Sequence, residues 1–490
     1  MAVEVQFKYP ALPGTVSAFV AGLGRKLTNR GGAAIQGFPS VKLLSRFVTL
    51  RLTDLRSRGD AFARGGPSLV QETASRVVIK GAADLAGKAV TLVITVLAAR
   101  TLSADAFGVM ALAMATGWLL GVATDAGLSM HLARETARRA VQPRQLLIDV
   151  LRLRAGLAYL AATMIAFLTP RIVPPNWKMQ FVLIVLAQLT GAVIETTAHY
   201  FRGIGRSEIE SAIHAAHRFS TLVLAVIVLG WWPRLDFLGA AMLIPAVIAM
   251  LISAGIAWRL SSAGNREPGT GNRQGLLTPA QFFKNVLPLG AGVLLSALYF
   301  RIDVYFIEQW QGLEAVGGYN AVFRLVEALR LLPAAVMAVT FPMLVQTADT
   351  RLVRRIGAAL TVVGVALALV CGLGSSLIVT LVYGAPYLYA APTFAILSLA
   401  LPLFFLNYAL THQVIGWDGQ RAYLLIAALA LAANVAANVA LVPSQGMIGA
   451  AIATLFTEVV DTAGSLYALV HHKDSSRTFI AAVHHEGSRL

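Results

Sequence analysis

Charged side chains are scarce in this chain of 490 residues: Asp, Glu, Lys and Arg together make up 13% of it, against about 25% in an average soluble chain. Apolar residues make up 57%, and the mean hydropathy is +0.70. This composition excludes a disordered chain and disfavours a soluble enzyme of several domains. Because Cys371 is the only cysteine, a disulfide framework and a metal site built from several cysteines are also excluded.

Motifs of ATP-driven and metal-dependent chemistry are missing from the sequence as well. It contains no G-x-x-x-x-G-K-[ST] phosphate-binding loop and no H-E-x-x-H zinc motif. No polar segment is long enough to hold a glycosyltransferase domain. We therefore expect a transporter without a cofactor, driven by an ion gradient or by substrate supply, and not an enzyme.

Apolar runs of roughly 20 residues, the length that a helix needs to cross a bilayer, alternate with short breaks from Ser75 onward. They predict an all-α integral membrane protein with twelve transmembrane helices. The predicted spans are 77–99, 107–130, 147–169, 180–201, 211–231, 236–258, 283–306, 317–341, 355–382, 391–415, 421–442 and 447–470.

The distribution of basic residues predicts the orientation of these spans. Most arginines and lysines after residue 75 lie at the even-numbered breaks, whereas the odd-numbered breaks contain Arg100, Arg171, Lys178 and Arg234. Cytoplasmic loops carry the excess of Lys and Arg, so both termini are predicted to be cytoplasmic. The excess of 40 basic over 24 acidic residues is thereby explained without nucleic acid as a partner.

The longest polar break divides the spans into six and six. Because six is even, the two halves have the same orientation, as in parallel repeats that enclose a central cavity. The basic N-terminal segment is either a cytosolic tail or, at 41–58, an amphipathic helix on anionic lipid. The predicted domains are an N-terminal extension (1–74), a first six-helix lobe (75–260), a cytoplasmic linker (261–280), a second six-helix lobe (281–470) and a cytoplasmic tail (471–490).

Ionisable residues inside predicted spans need an explanation, because each costs at least about 2.5–3.5 kcal/mol at the centre of a membrane. In the first span Lys80, Asp84 and Lys88 are spaced i, i+4, i+8 and share one helix face. One positive charge is left over. The face is either a cationic wall for an anionic substrate, with Asp84 as a protonation site, or a structural ion pair between helices.

A second group of charges lies in the seventh and eighth spans. Arg301 and Asp303 belong to the seventh span, and Arg324, Glu327 and Arg330 follow at spacings of three in the eighth. Positive charge again exceeds negative by one. Arg301 can pair with Glu327, or Asp303 with Arg324. Structural salt bridges between the helices are the alternative to a substrate site.

Other polar residues of the spans carry a weaker signal. Those around the break between spans four and five predict either a proton relay or solvated groups near an interface. Those in spans eleven and twelve are more typical of hydrogen bonds between helices. The first set is Glu195, His199, His214, His217 and Arg218, and the second is Asn434, Asn438, Glu458 and Asp461.

Four short motifs resemble those of bacterial polysaccharide flippases. Residues 100–108 resemble "R-x-L-x-x-x-x-F-G", residues 125–135 resemble "D-x-G-L…R-E", and residues 301–303 resemble "R-x-D". Residues 319–342 resemble the eighth-span pattern of this family, which ends in "F-P". Over residues 75–470 the chain thus resembles the polysaccharide-transport branch of the multidrug/oligosaccharidyl-lipid/polysaccharide exporter superfamily, which includes O-antigen flippases.

The resemblance implies a V-shaped pair of lobes and transport of undecaprenyl-pyrophosphate-linked oligosaccharide across the bacterial inner membrane, for O-antigen or exopolysaccharide synthesis. Membrane lipid, polysaccharide polymerase and glycosyltransferases are further candidate partners. By alternating access, an antiporter-like carrier would exchange the lipid for H+ or Na+. The expected substrate-binding residues are Lys80, Lys88, Arg301, Arg324 and Arg330, and the expected ion-coupling residues are Asp84, Asp303 and Glu327.

Three alternatives stay open at this point. A cation-coupled multidrug exporter would need acidic rather than basic surplus in its cavity. A lipid II flippase of the same superfamily usually has two more spans than the twelve predicted here. The third alternative is a membrane scaffold for glycan assembly without transport activity.

Overall fold

The computed structural model describes residues 87, 89–138, 143–263, 287–337, 340, 350–416 and 419–487. Helices and short turns account for all of these residues, without a strand among them. The predicted all-α class is therefore confirmed. The predicted N-terminal extension lies outside the described residues, as does most of the predicted linker. Residues Ala83–Leu490 form one compact unit, and the division into two lobes stays a prediction.

The helices follow the order of the predicted spans. In chain order they are α1 (Ala89–Thr101), α2 (Ala104–Asp125), α3 (Leu128–Arg138), α4 (Pro143–Ile172), α5 (Lys178–Gly203), α6 (Ser207–Trp231), α7 (Leu235–Ala263), α8 (Leu287–Arg301), α9 (Asp303–Leu329), α10 (Thr350–Leu373), α11 (Ser375–Tyr383), α12 (Ala391–Ser398), α13 (Leu401–Gly416) and α14 (Gln420–Gly487). Two 3-10 helices, Pro175–Trp177 and Ala385–Ala390, connect neighbouring helices.

Among the described residues, eight helical segments are long and apolar enough to cross a membrane, and a ninth is formed if the two helices bent by 46° around residue 400 count as one span. The protein is thus a multi-pass membrane protein. Two of the eight segments, Gly290–Met337 and Gln420–His471, contain 48 and 52 residues. Straight helices of this length would measure about 72 and 78 Å, more than twice the thickness of the hydrocarbon core.

Hydrogen bonds show that each of these long segments is a hairpin of two helices. Tyr319 donates to Asp303, although residues 16 apart on a straight helix are separated by about 24 Å. In the same way, Asn434 Nδ2 donates to Thr457 Oγ1 at 3.0 Å across 23 residues. The turns fall at Gly312 and Gly446, whose φ angles are 81° and 55°. Glycine adopts such left-handed conformations without steric strain. The total of twelve spans stays a prediction.

Local sequence sets both ends of α2. Ser103 caps its first turn, since the side chain accepts a hydrogen bond from the backbone N–H of Ala106 at 3.3 Å. The helix ends where Ala126 and Gly127 have φ angles of 44° and 86°. This left-handed pair occupies the "x-G" of the D-x-G-L motif and turns the chain into the surface helix α3.

Helix α2 packs antiparallel along α8 and α9 and so joins the two halves of the chain. Near its middle, the hydroxyl of Tyr305 donates to Thr116 Oγ1 at 2.9 Å. At its beginning, a Cβ atom placed on Gly108 would lie 1.9 Å from the carbonyl oxygen of Leu313. Only glycine permits backbones to approach this closely, as at other small-residue contacts between membrane helices.

A second contact between the halves lies beside the first. Arg100 donates from Nε to the carbonyl of Val382 at 2.8 Å and from Nη2 to that of Leu381 at 2.5 Å. These carbonyls belong to the last turn of α11, which favours a cation. The rings of Phe107 and Tyr387 meet edge to face, with centroids 5.9 Å apart. Arg100, Phe107 and Gly108, three of the four defining residues of the first motif, therefore contact the second half.

We expect Gly108→Ala to destabilise the protein by about 1–3 kcal/mol, as overpacking does at other buried sites. The added Cβ would collide with the backbone of Leu313, which cannot rotate away as a side chain can. Thermal unfolding of the purified protein, followed by circular dichroism, measures the effect.

Gly156→Ala is the matched control, because a Cβ atom at Gly156 on α4 would meet no atom within 4 Å. This change should leave the midpoint unchanged or raise it slightly through helix propensity. Equal unfolding midpoints for the two variants would contradict the close approach of α2 and α9.

Candidate functional site

Two arginines share one carboxylate where the seventh and eighth predicted spans face each other. Arg301 Nη2 lies 3.0 Å from Glu327 Oε2, and Arg324 Nη1 lies 2.7 Å from the same oxygen. The hairpin at Gly312 brings Arg301 and Glu327 together across 26 residues. The expected pair of Arg301 with Glu327 is present, and Arg324 is added to it. One carboxylate therefore pairs with two guanidinium groups.

Asp303 is the first residue of α9, and its hydrogen-bond partners are neutral. It is 2% exposed, accepts a hydrogen bond from the hydroxyl of Tyr319, and accepts another from the backbone N–H of Val304 at 2.9 Å. Tyr319 is also 3.3 Å from the hydroxyl of Thr454 on α14. The alternative pair of Asp303 with Arg324 does not occur in the described part of the chain.

Arg330, at the end of α9, is surrounded by aromatic rings. Its guanidinium carbon lies 4.4 Å from the ring centre of Phe300, 4.3 Å from that of Phe404 and 5.8 Å from that of Tyr408. Such cation–π contacts hold a guanidinium without neutralising it. Its Nη1 atom is buried and has no hydrogen-bond partner among the described residues, so this arginine retains both its charge and a free donor.

Two acidic residues of α14 face this aromatic box. Glu458 and Asp461 are both buried, and both carboxylates interact electrostatically with Arg330. Glu458 also accepts a hydrogen bond of 2.8 Å from Asn407 Nδ2 on α13. Sequence reasoning assigned Glu458 to contacts between helices, and this bond is one. What the sequence did not indicate is its proximity to Arg330, which depends on how α14 packs against the hairpin.

A further buried charge, which the sequence did not indicate, lies in the first half. The interpretation of the basic residues placed Arg154 at a cytoplasmic break, but the structure places it inside α4, where it is 2% exposed. It pairs with Asp125 and donates from Nη2 to the carbonyls of Gly121 and Ala192 at 3.0 and 3.2 Å. The aspartate of the D-x-G-L motif was the sequence signal that could have indicated this ion pair, because a carboxylate at the end of a span needs a partner.

The motif continues into the amphipathic helix α3. Leu128 and Leu132 are buried against the protein, whereas Met130 and Arg134 are exposed. His131, on the buried side, lies outside the membrane-spanning segments. Burial lowers the pKa of His131 below its usual 6.5, because desolvation disfavours the charged imidazolium.

Ionisable groups of α5 and α6 form an ion-paired network near the break between these helices. Arg202 Nη2 lies 2.9 Å from Glu195 and 2.5 Å from Glu210, and His214 Nε2 lies 3.3 Å from Glu195. Oxygen and nitrogen atoms of Glu195, Glu210 and His214 come within 4.8 Å of one another, a geometry that could hold a metal ion. The guanidinium of Arg202 already occupies both carboxylates, so the donor set fits an internal salt bridge better than a cation.

The structure thus brings five of the eight expected site residues together: Arg301, Asp303, Arg324, Glu327 and Arg330. The other three, Lys80, Asp84 and Lys88, lie outside the described residues. Their contribution to the site stays a prediction.

An apolar cavity of about 580 Å³ lies between α2 and α8, beside the charged residues. Leu120, Leu298 and Phe306 are typical of its lining. Ile302, which also lines it, is the neighbour of Arg301 and Asp303 in sequence. The cavity suits a hydrocarbon chain and not a charged group, because polar atoms form little of its wall.

Arg154→Gln should destabilise the folded protein by about 1–3 kcal/mol, since it removes the charged partner of the half-buried Asp125 carboxylate. Arg152→Gln is the control, because Arg152 lies on the same helix and is exposed. Thermal midpoints and yields from membranes measure the difference. If both variants unfold at the same temperature, the Asp125–Arg154 pair does not stabilise the fold.

A family model described as "Polysaccharide biosynthesis protein" matches residues 75–348, which is more than half of the chain. This range includes the three motifs with residues 100–108, 125–135 and 301–303, and the whole of the eighth-span motif. No curated protein sequence matches the chain.

Solved structures of three transporters are similar in fold. A variant of the Vibrio cholerae MATE transporter VcmN is 15% identical, with a TM-score of 0.56, over 83% of this chain and 98% of its own. The lipid II flippase MurJ in its inward closed conformation is 12% identical, with a TM-score of 0.58, over 83% and 92%. A MOP superfamily transporter from Pyrococcus furiosus is 13% identical, with a TM-score of 0.52, over 82% and 97%.

At these identities the three structures show the fold alone. The family match agrees with that fold, and the structural neighbours are named as transporters and a flippase. This multi-pass membrane protein belongs to the polysaccharide biosynthesis protein family, the polysaccharide-transport branch of the multidrug/oligosaccharidyl-lipid/polysaccharide exporter superfamily.

Proposed function

We propose that this protein flips undecaprenyl-pyrophosphate-linked oligosaccharide across the bacterial inner membrane, by alternating access, for surface polysaccharide synthesis. The observation that carries the proposal is the group of three arginines inside the hairpin of α8 and α9. Arg301 and Arg324 share the carboxylate of Glu327, and Arg330 keeps a buried Nη1 donor without a partner.

Electrostatics favours an anionic ligand at this place. In a low-dielectric environment a charge interacts far more strongly than in water, so a guanidinium with a free donor at membrane depth attracts a phosphate strongly. Arginine presents its donors in a planar fork that matches phosphate oxygens. Hydrogen bonds to charged groups contribute about 1.5–3 kcal/mol each. Arg330 is the residue we assign to first contact with the pyrophosphate.

The hydrocarbon part of the substrate needs a separate environment. The cavity between α2 and α8 is apolar, and Ile302 connects its wall to the charged residues. In the proposed cycle the pyrophosphate lies at the arginines while the lipid tail stays in apolar surroundings between the halves. Neither the pyrophosphate nor the lipid tail then has to enter surroundings that solvate it poorly.

Coupling to H+ or Na+ is assigned to Asp303 rather than to Glu327. Both residues belong to the expected ion-coupling set, together with Asp84. Glu327 is engaged by two guanidinium groups, whereas the partners of Asp303 are a hydroxyl and a backbone N–H. Asp303 is thus the carboxylate whose binding of a cation would break no salt bridge.

A multidrug exporter of the same superfamily is the second candidate, and the buried acids Glu458 and Asp461 favour it. An acidic pair inside the second half could attract a cationic drug. Arg330 faces both carboxylates, however, so a positive charge already lies beside this acidic pair. The match to the family model described as "Polysaccharide biosynthesis protein" supports the flippase over the exporter of cations.

Deletion of the gene tests the proposed function in the cell. We expect surface polysaccharide to be lost and lipid-linked oligosaccharide to accumulate in the cytoplasmic leaflet, because synthesis continues while translocation stops. Mass spectrometry of lipid extracts measures the accumulation, and protection of the glycan from an externally added glycosidase in spheroplasts reports the leaflet. Normal surface glycan, or accumulation in the periplasmic leaflet, would refute the proposal.

Arg330→Gln should slow flipping at least about tenfold, since it removes the charge and the donors while a side chain of similar length remains. The measurement is the rate at which a lipid-linked oligosaccharide becomes accessible in proteoliposomes. Arg330→Lys should recover part of the rate, because the charge returns without the planar fork.

Arg234→Gln is the control for this experiment, because Arg234 is exposed and pairs with Asp236 at the beginning of α7. It should flip at the wild-type rate. An Arg330→Gln protein that flips as fast as the Arg234→Gln protein would remove Arg330 from the substrate site.

A further inference from the structure

Arg218 lies near the middle of a membrane-spanning helix. Sequence reasoning placed it near an interface, but α6 begins at Ser207 and ends at Trp231, so Arg218 is about 16 Å from the beginning of the helix. The helix belongs to the segments that are long and apolar enough to cross the membrane. A guanidinium at this depth needs a partner or a function.

The guanidinium of Arg218 packs directly on the backbone of Gly87. A Cβ atom placed on Gly87 would lie 1.6 Å from Nη1 and 2.3 Å from Cζ of Arg218. Gly87 itself is buried. The absence of a side chain at residue 87 is therefore what leaves room for the guanidinium between α6 and the backbone of Gly87.

No acid neutralises this guanidinium among the described residues. Nη1 of Arg218 is buried and has no hydrogen-bond partner there. The ionisable groups that face it are His217, with which it interacts electrostatically, and His214 beyond it. Glu195, a carboxylate of the neighbouring network, is engaged by Arg202 and His214. Both of the ionisable neighbours named on α6 are thus basic residues, and neither compensates the charge.

Arg330 shows the same combination in the second half of the chain. Each of these two arginines has a buried Nη1 without a partner, and each belongs to a segment that can cross the membrane. Arg301 and Arg324, by contrast, are held by Glu327. Each half of the chain thus contributes one guanidinium group whose Nη1 can donate a hydrogen bond to an added ligand.

We propose that Arg218 is an anion-binding residue contributed by the first half of the protein, and that its ligand is a phosphoryl group of the transported lipid pyrophosphate. This inference rests on the proposed function. Because Gly87 has no side chain, the guanidinium of Arg218 has room beside its backbone, and Nη1 of Arg218 donates to a phosphate oxygen. Because Arg218 and Arg330 lie on different halves, a movement of the halves would change how many phosphoryl groups are held at once.

Direct binding to the full-length protein in lipid nanodiscs tests the assignment. The probe is geranylgeranyl pyrophosphate, and geranylgeraniol, which lacks the phosphates, reports the contribution of the hydrocarbon chain. We expect Arg218→Gln to raise the Kd of the pyrophosphate about tenfold, which corresponds to about 1.4 kcal/mol, and to leave the Kd of the alcohol unchanged. Arg218→Lys should give an intermediate value, because it keeps the charge.

Two further variants separate binding from structure. Gly87→Ala should weaken pyrophosphate binding in the same direction, because the new Cβ would occupy the place of Nη1. Arg206→Gln should change neither Kd, since Arg206 is exposed and pairs with Glu208 at the beginning of α6. Thermal midpoints of all variants show whether the fold is intact.

The outcomes distinguish this inference from the function on which it rests. If Arg218→Gln binds the pyrophosphate as tightly as the wild type while Arg330→Gln does not, Arg218 only ties α6 to Gly87 and the inference is wrong. Equal losses for the pyrophosphate and the alcohol would also overturn it, because they indicate damage to the fold. If the wild-type protein itself does not distinguish the two probes, the proposed function fails together with the inference.

Discussion

The shared salt bridge of Arg301 and Arg324 with Glu327 is the interaction on which the second half depends. The single carboxylate of Glu327 neutralises only half of the charge of the two guanidinium groups that contact it. The shared contact nevertheless holds the two helices of the hairpin in register. Removing the carboxylate would leave both arginines buried without a counter-charge, which is far more unfavourable than never having placed them there. The same contact fixes the position from which Arg330 reaches its aromatic box.

Buried charge and close packing have two different roles in the proposed function. The arginines would supply an attraction for phosphate that does not depend on the sugar attached to it. The contacts of α2 with α8 and α9 hold the halves against each other through Gly108, Thr116 and Tyr305. Arg100 adds two hydrogen bonds to carbonyls at the end of α11. In a carrier that alternates its access, contacts of this kind must open and re-form, and hydrogen bonds outside ion pairs do so more readily than buried salt bridges.

The motifs that suggested the family have structural explanations that differ from one another. Residues of the first motif join the two halves, the glycine of the D-x-G-L motif turns the chain after α2, and its aspartate binds Arg154. The two charged residues of the R-x-D motif have different partners. Arg301 contacts the carboxylate of Glu327, and Asp303 accepts a hydrogen bond from the hydroxyl of Tyr319. A motif shared by a family can thus reflect packing, a backbone turn or a charge, and only contacts reveal which.

Sequence alone determined that this protein is helical and embedded in a membrane, because the length and spacing of apolar runs are set by the thickness of the bilayer. It also determined that Arg301, Asp303, Arg324, Glu327 and Arg330 would need partners at membrane depth. Which partner each of them has was decided only by the tertiary structure. Helical spacing describes neighbours on one helix, whereas the hairpin at Gly312, the packing of α14 and the position of Arg218 on Gly87 bring together residues that are far apart in the chain.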